Sequence, residues 1–287
     1  MTGPMLPSHV RPATKRPAWT QRRRQSCGCR ARASTTSFTA GPLLVLITAG
    51  AGDANSYDNL IDRLASHYTV LTYDRRGYSR STRDDPAQPL EVETHSADVA
   101  QLLSVLTADP GYVFGSSGGG VVGLDLAIRY PAKVCRLVAH EPPTRQLLPD
   151  DGQLHGGMYE IYRRDGAEAA IRHFAASIGV NPDRRAREPG VEVSKPNAWS
   201  APNLEFFLAH DVPAVARYSL DLTALKDTPA RIMPAAGIAS RMHWPYRCAA
   251  ALAEQLDTDL VEFPGDHAGF VTHPQAFADR LHQALHE

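Results

Sequence analysis

Six short apolar runs alternate with stretches whose apolar residues recur at helical spacing, and this alternation constrains the fold more than any other feature of the chain. Leu43 to Ile47 is a continuous apolar run bounded by Gly41-Pro42 and Gly50, the pattern of a strand buried on both faces. Tyr57 to Ser66 then carries Leu60, Ile61 and Leu64 at helical spacing, and Tyr68 to Tyr73 reads as the next strand. The alternation continues with Asp98 to Leu106 (helix), Tyr112 to Phe114 (strand), Val121 to Ile128 (helix) and Val134 to Val138 (strand). It resumes near the C-terminus with strands at Arg231 to Ala235 and Leu260 to Phe263, each followed by a helix, Tyr246 to Leu256 and Pro274 to Leu285. Such a pattern predicts βαβ units and an α/β fold, a mostly parallel sheet covered by helices.

The order breaks between Pro142 and about Pro229. There, residues 156–180 and 203–225 read as helices around a Pro-, Arg- and Glu-rich loop at 181–198, with no convincing strand. The expected organisation is a core built from residues 40–141 and 230–287, a helical insertion at 142–229, and a separate segment at 1–39. That first segment has eight Lys and Arg residues, and no acid precedes Asp53. It reads as a disordered basic tail, with a nucleic-acid arm or targeting peptide as the alternative; no apolar stretch of signal-peptide type follows the arginines.

The 287 residues, 43% hydrophobic and 21% charged, are enough for one substantial core. No run approaches the roughly 18 apolar residues that span a bilayer, so no membrane partner is expected. Cys27, Cys29, Cys135 and Cys248 match neither a zinc site nor a disulfide framework, and are expected as thiols in a cytoplasmic setting. Neither a cofactor nor a metal is expected, and nucleic acid has only the basic tail in its favour.

Gly115-Ser116-Ser117-Gly118-Gly119 fits G-x-S-x-G and lies between a strand and a helix, where a sharp turn would expose the central hydroxyl above the sheet. Small residues at 115 and 119 permit strand and helix to cross closely, and a helix starting at Gly118 would aim backbone N–H groups at the same spot. A Gly-rich turn or phosphate loop is the alternative. A serine needs a base at neutral pH. Of twelve histidines, His267 in "VEFPGDHAGFVTHP" stands out in a short loop after a strand, flanked by Gly265 and Gly269, whereas His273 and His282 occupy ordinary surface contexts.

From about residue 40 onward the chain resembles the α/β-hydrolase fold family. The resemblance rests on "GSSGG", on "GDHAGF", on "YDRRGYSRS" at 73–81 and on the Gly-rich "TAGAGDA" at 48–54, in that family's order. It implies Ser117 as nucleophile, His267 as general base, and an oxyanion hole from the N–H groups of Gly118 and Gly50, with the insertion at 142–229 serving as a cap. Its slot for the acid that orients the histidine holds Ile238-Ala239-Ser240, without a carboxylate. Some members take the acid after the preceding strand, and "CRLVAHEPP" offers Glu141 there; Asp211, Asp221 and Asp227 are alternatives, while Asp266 is expected to point elsewhere. The N-terminal hairpin usual in the family has no counterpart in 33–41, so the first edge strands are expected to be missing. Met158, Tyr159, Tyr162, Phe174, Phe206 and Phe207 are expected to line an apolar pocket or simply a core.

The expectation is a cofactor-independent serine hydrolase cleaving an ester, lactone or similar acyl bond of a small, fairly hydrophobic substrate. Alternatives are non-hydrolytic chemistry at the same site (C–C bond cleavage, a lyase, a perhydrolase or a cofactor-free oxygenase) and a catalytically weak binding protein. Oligomeric state is left open.

Overall fold

The computed structural model describes residues 30–34 (backbone only), 41–48, 50–83, 85–149, 157–180, 185–192 and 196–287. Seven strands form one sheet: β1 (Arg30–Ser34), β2 (Leu43–Ile47), β3 (Thr69–Asp74), β4 (Gly111–Ser116), β5 (Val134–His140), β6 (Arg231–Gly237) and β7 (Val261–Phe263). Their order is β1-β3-β2-β4-β5-β6-β7, with β1 antiparallel to β3 and every other pair parallel. The expected α/β fold is therefore present with one correction. Residues 30–34, assigned to a disordered tail, pair with β3 from Arg30↔Asp74 to Ser34↔Val70 and supply an edge strand thought to be missing. The rest of the basic segment, with Cys27 and Cys29, lies outside the described residues.

Strand periodicity explains the layers. In β2, Val45 and Ile47 face one side and Leu44 and Leu46 the other, all fully buried. On the first side they join Val113 and Leu137 against α2 (Val92–Leu106), α3 (Gly118–Arg129) and Leu252 of a later helix. On the second side Phe114 and Val138 meet Leu60 and Leu64 of α1 (Asp58–Leu64) and Phe277 and Leu281 of the last helix. Each such side chain contributes about 1.5–3 kcal/mol by leaving water.

The segment between β5 and β6 is helical: α4 (Met158–Asp165), α5 (Ala167–Ser177), α6 (Ser200–Phe206), a π-helical turn (Phe207–Asp211), α7 (Val212–Arg217) and α8 (Leu222–Lys226). After β6 come α9 (Trp244–Gln255), then β7, α10 (Gly269–Thr272) and α11 (Pro274–Ala284). The pairings Ile47↔Gly115, Ser116↔His140, His140↔Ala235 and Gly237↔Phe263 bring the carboxyl ends of five strands to one rim. Beyond β2 the chain crosses outward to β3 and then returns to β4 on its other side. The loops after β2 and β4 thus flank a topological switch point, where open α/β sheets form their binding crevice.

Candidate active site

At the end of β4 the backbone turns through Ser117, with φ 53° and ψ −125°, before α3 begins at Gly118. A non-glycine residue is held there only by its surroundings. The Ser117 N–H donates to the His140 carbonyl at 2.8 Å, tying the turn to β5. A Cβ at Gly115 would lie 2.3 Å from the Gly119 carbonyl oxygen, and one at Gly119 would lie 2.4 Å from that of Ile47. Both glycines are therefore required for the crossing of strand and helix. As the first residue of α3, Gly118 has an N–H with no acceptor inside the helix.

Glu141 follows β5 directly, at φ +46°. Its N–H donates to the Ala235 carbonyl at 2.7 Å. Its Oε1 accepts the Gly237 N–H at 2.9 Å and its Oε2 lies 2.5 Å from His267 Nδ1. Burial alone would push this fully enclosed carboxyl up. The hydrogen bond and charge of His267, the neighbouring His140 and the Gly237 amide outweigh it and hold the group at about 2. An ionised carboxylate only accepts, so Nδ1 of His267 carries a proton and donates it to Glu141. The ring is 8% exposed and meets Phe174 of α5 edge-on at 6.2 Å.

The other carboxylates are engaged elsewhere. Asp211 meets Arg75, Tyr78 and His95, and Asp221 accepts the Ala224 N–H at the start of α8 at 2.9 Å. Asp227 ends α8, and Asp266 is gripped by Arg185 at 2.6 and 2.9 Å. Just before the slot expected for the acid, Gly237 gives its N–H to Glu141, and within the slot Ser240 is buried.

Ser117 and His267 line one cavity of about 470 Å³, together with Gly50, and no hydrogen bond joins them among the described residues. Catalytic hydrogen bonds commonly tighten only when substrate is bound. Gly50, at φ +56°, and Gly118 also meet at an adjoining recess of about 20 Å³. Of the aromatic residues expected to line the pocket, Phe174 and Phe207 do. Phe206 instead meets Tyr78 edge-on at 5.0 Å, and the Tyr162 hydroxyl donates to Glu205 at 2.6 Å. Met158 and Tyr159 are not at the cavity wall. The expected apolar lining is corrected further by Asp53, Asn55, Asn59, Asn197 and Asn203, so the wall is mixed. Tyr57 and Phe270, in contact at 4.9 Å, add apolar surface from the core side that the sequence reading missed.

Among the described residues, no cluster of three or more His, Cys, Asp or Glu is arranged for a metal ion, and no helix is long and apolar enough to cross a membrane. Cys135 is exposed and Cys248 buried, neither in a disulfide.

Residues 42–224 match the sequence pattern of the alpha/beta hydrolase fold, and the chain belongs to that family. Among individual proteins, it is 40% identical over 250 residues to the uncharacterized hydrolase YraK of Bacillus subtilis, covering 86% of this chain and 89% of that one. The putative carbamate hydrolase RutD of Agrobacterium fabrum is 26% identical, with 84% and 92% covered. Among solved structures, the enol-lactonase of Burkholderia xenovorans superposes with a TM-score of 0.67 at 20% identity, over 90% of this chain and 96% of that one, a likeness of fold.

Proposed function

We propose that this protein is a serine hydrolase that cleaves an ester, lactone or related acyl bond of a small molecule through an acyl-enzyme. The observation that carries the reading is the buried, ionised Glu141 on His267 Nδ1, with the imidazole sharing a cavity with the strained Ser117. In this reading Nε2 of His267 takes the Ser117 proton as Oγ attacks the carbonyl carbon. The carbonyl oxygen becomes an oxyanion, held by the N–H groups of Gly118 and Gly50. Glu141 stabilises the imidazolium, which gives its proton to the leaving oxygen or nitrogen as the C–O or C–N bond breaks. Water then attacks the Ser117 ester, His267 takes its proton and returns it to Oγ, and the acid leaves.

The helical segment at 142–229 serves as the cap, supported by Phe174 against His267 and Phe207 on the cavity wall. The names of similar proteins (a putative carbamate hydrolase, an enol-lactonase) support acyl chemistry. The mixed wall favours a substrate with both an apolar part and hydrogen-bonding groups over a plain hydrocarbon ester.

The test is stopped-flow hydrolysis of short-chain p-nitrophenyl esters. A burst of nitrophenol close to one per enzyme, followed by steady turnover and abolished in Ser117→Ala, is the expected result. Equal hydrolysis by Ser117→Ala would remove the nucleophile from this account, and no turnover by wild type would favour a binding protein.

A further inference from the structure

The turn after β3 contains three arginines with different tasks. Arg76 pairs with Asp98 of α2, and Arg80 grips Asp74 at 2.6 and 3.0 Å, so these two hold the turn itself. Arg75 points elsewhere. It is 2% exposed, its Nη2 donates to the Gly50 carbonyl at 2.7 Å, and its Nη1 donates to Asp211 Oδ2. The same Asp211 oxygen accepts the Tyr78 hydroxyl at 2.6 Å, and Oδ1 lies 3.2 Å from His95 Nε2. The Arg75 guanidinium also lies 4.1 Å from the centre of the Tyr78 ring.

The two acceptors of Arg75 belong to two parts of the site. Gly50 carries one proposed oxyanion donor and sits at φ +56°, a conformation that a glycine leaves at little cost unless something holds it. Asp211 ends the π-helical turn that also presents Phe207 to the cavity. A planar fork presents a separate nitrogen to each acceptor, whereas a lysine would have to reach both from a single nitrogen.

We infer that Arg75 is a positioning residue for the oxyanion hole: its bond to the Gly50 carbonyl fixes the donor loop, and its pairing with Asp211 ties that loop to the helical segment that lines the cavity. The inference rests on the serine-hydrolase reading above. A buried carboxylate left alone is destabilising, so the decisive variant is the double R75M/D211N, which removes both charges, with R75K beside it.

The assay uses the full chain, a p-nitrophenyl ester with active sites counted from the burst, and a trifluoromethyl ketone as mimic of the tetrahedral state. We expect R75M/D211N to lower kcat per active site by about 10- to 100-fold, less than outright loss of an oxyanion donor, with KM within about threefold. The ketone's Ki should rise in step with the fall in kcat, and R75K should lie between. A residue serving stability alone would change the number of active sites but neither kcat per site nor Ki. Values within about twofold of wild type in a folded double variant would overturn the inference and leave the hydrolase reading standing. A wild type that is insensitive to the ketone and hydrolyses no faster than Ser117→Ala would overturn both.

Discussion

Two buried carboxylate–histidine pairs stand near Gly50, one with its imidazole on the wall of the large cavity and the other at the small adjoining recess. Glu141 holds His267 by one ring nitrogen while the imidazole borders the cavity shared with Ser117. Asp211 holds His95, but its carboxylate is also taken by Arg75 and Tyr78, and His95 Nδ1 is buried without a partner. Burial would push both carboxyls up, yet their partners hold both well below the usual range. Charge and burial therefore do not separate the pair we propose as catalytic from the other. What separates them is the space their imidazoles border, about 470 Å³ at His267 and about 20 Å³ at His95.

That comparison is broken most directly by removing the two imidazoles in turn. His267→Ala should lower kcat by about 10⁴-fold or more, as loss of a base does in serine hydrolases, whereas His95→Ala should cost about tenfold or less. Similar losses in steady-state ester hydrolysis would erase the distinction. The carboxylates should divide next, by kind of effect. Glu141→Gln is expected to cut kcat by roughly 10³- to 10⁴-fold. Asp211→Asn leaves the Arg75 charge buried and unpaired, and should cost about 3–5 kcal/mol in denaturant unfolding. The reverse pattern would mean that the roles have been exchanged.

A smaller effect sharpens the picture at His140, next to Glu141. Its ring is enclosed by Phe114, Phe263 and Phe277, and both nitrogens lack partners. Burial lowers it from 6.5 to about 4, against the opposing charge of Glu141. The unfolded chain binds this proton more readily, so the stabilising contribution is complete above 6.5 and is lost as pH falls from 6.5 to about 4. The loss amounts to about 3 kcal/mol at most. Urea unfolding of His140→Leu should be flatter than wild type over that interval. Both proteins should keep the lower step that Glu141 adds between 4.5 and about 2.

How much of this was readable in the sequence depended on how local the cause is. The continuous run at Leu43–Ile47 and the Gly-Ser-Ser-Gly-Gly turn declare themselves through neighbours along the chain, whereas Glu141 was singled out only through the family resemblance, with Asp211, Asp221 and Asp227 beside it. The edge strand Arg30–Ser34 was hidden because its pairing with β3 is made by backbone groups inside a basic, polar segment. Helix α2 starts at Val92, six residues before the first residue of its apolar pattern, because His95, Ser96 and Asp98 are buried by distant polar partners. The lining of the cavity failed for a related reason. Phe206 and Phe207 are neighbours on a helical run and so face different ways: Phe207 reaches the cavity while Phe206 packs on Tyr78, and which of them faces the cavity is set by how the segment docks on the core. The same segment delivers Asp211 to Arg75, a contact 136 residues apart along the chain.

The whole account depends on the Ser117 oxygen being made nucleophilic by a base held on Glu141. Mass spectrometry of peptides from protein treated with a fluorophosphonate measures this most directly. The account predicts one phosphonyl adduct, on the Ser117 peptide, formed rapidly in wild type, slowly in Glu141→Gln and not at all in Ser117→Ala. An adduct on another residue, or labelling of Glu141→Gln at the wild-type rate, would contradict it.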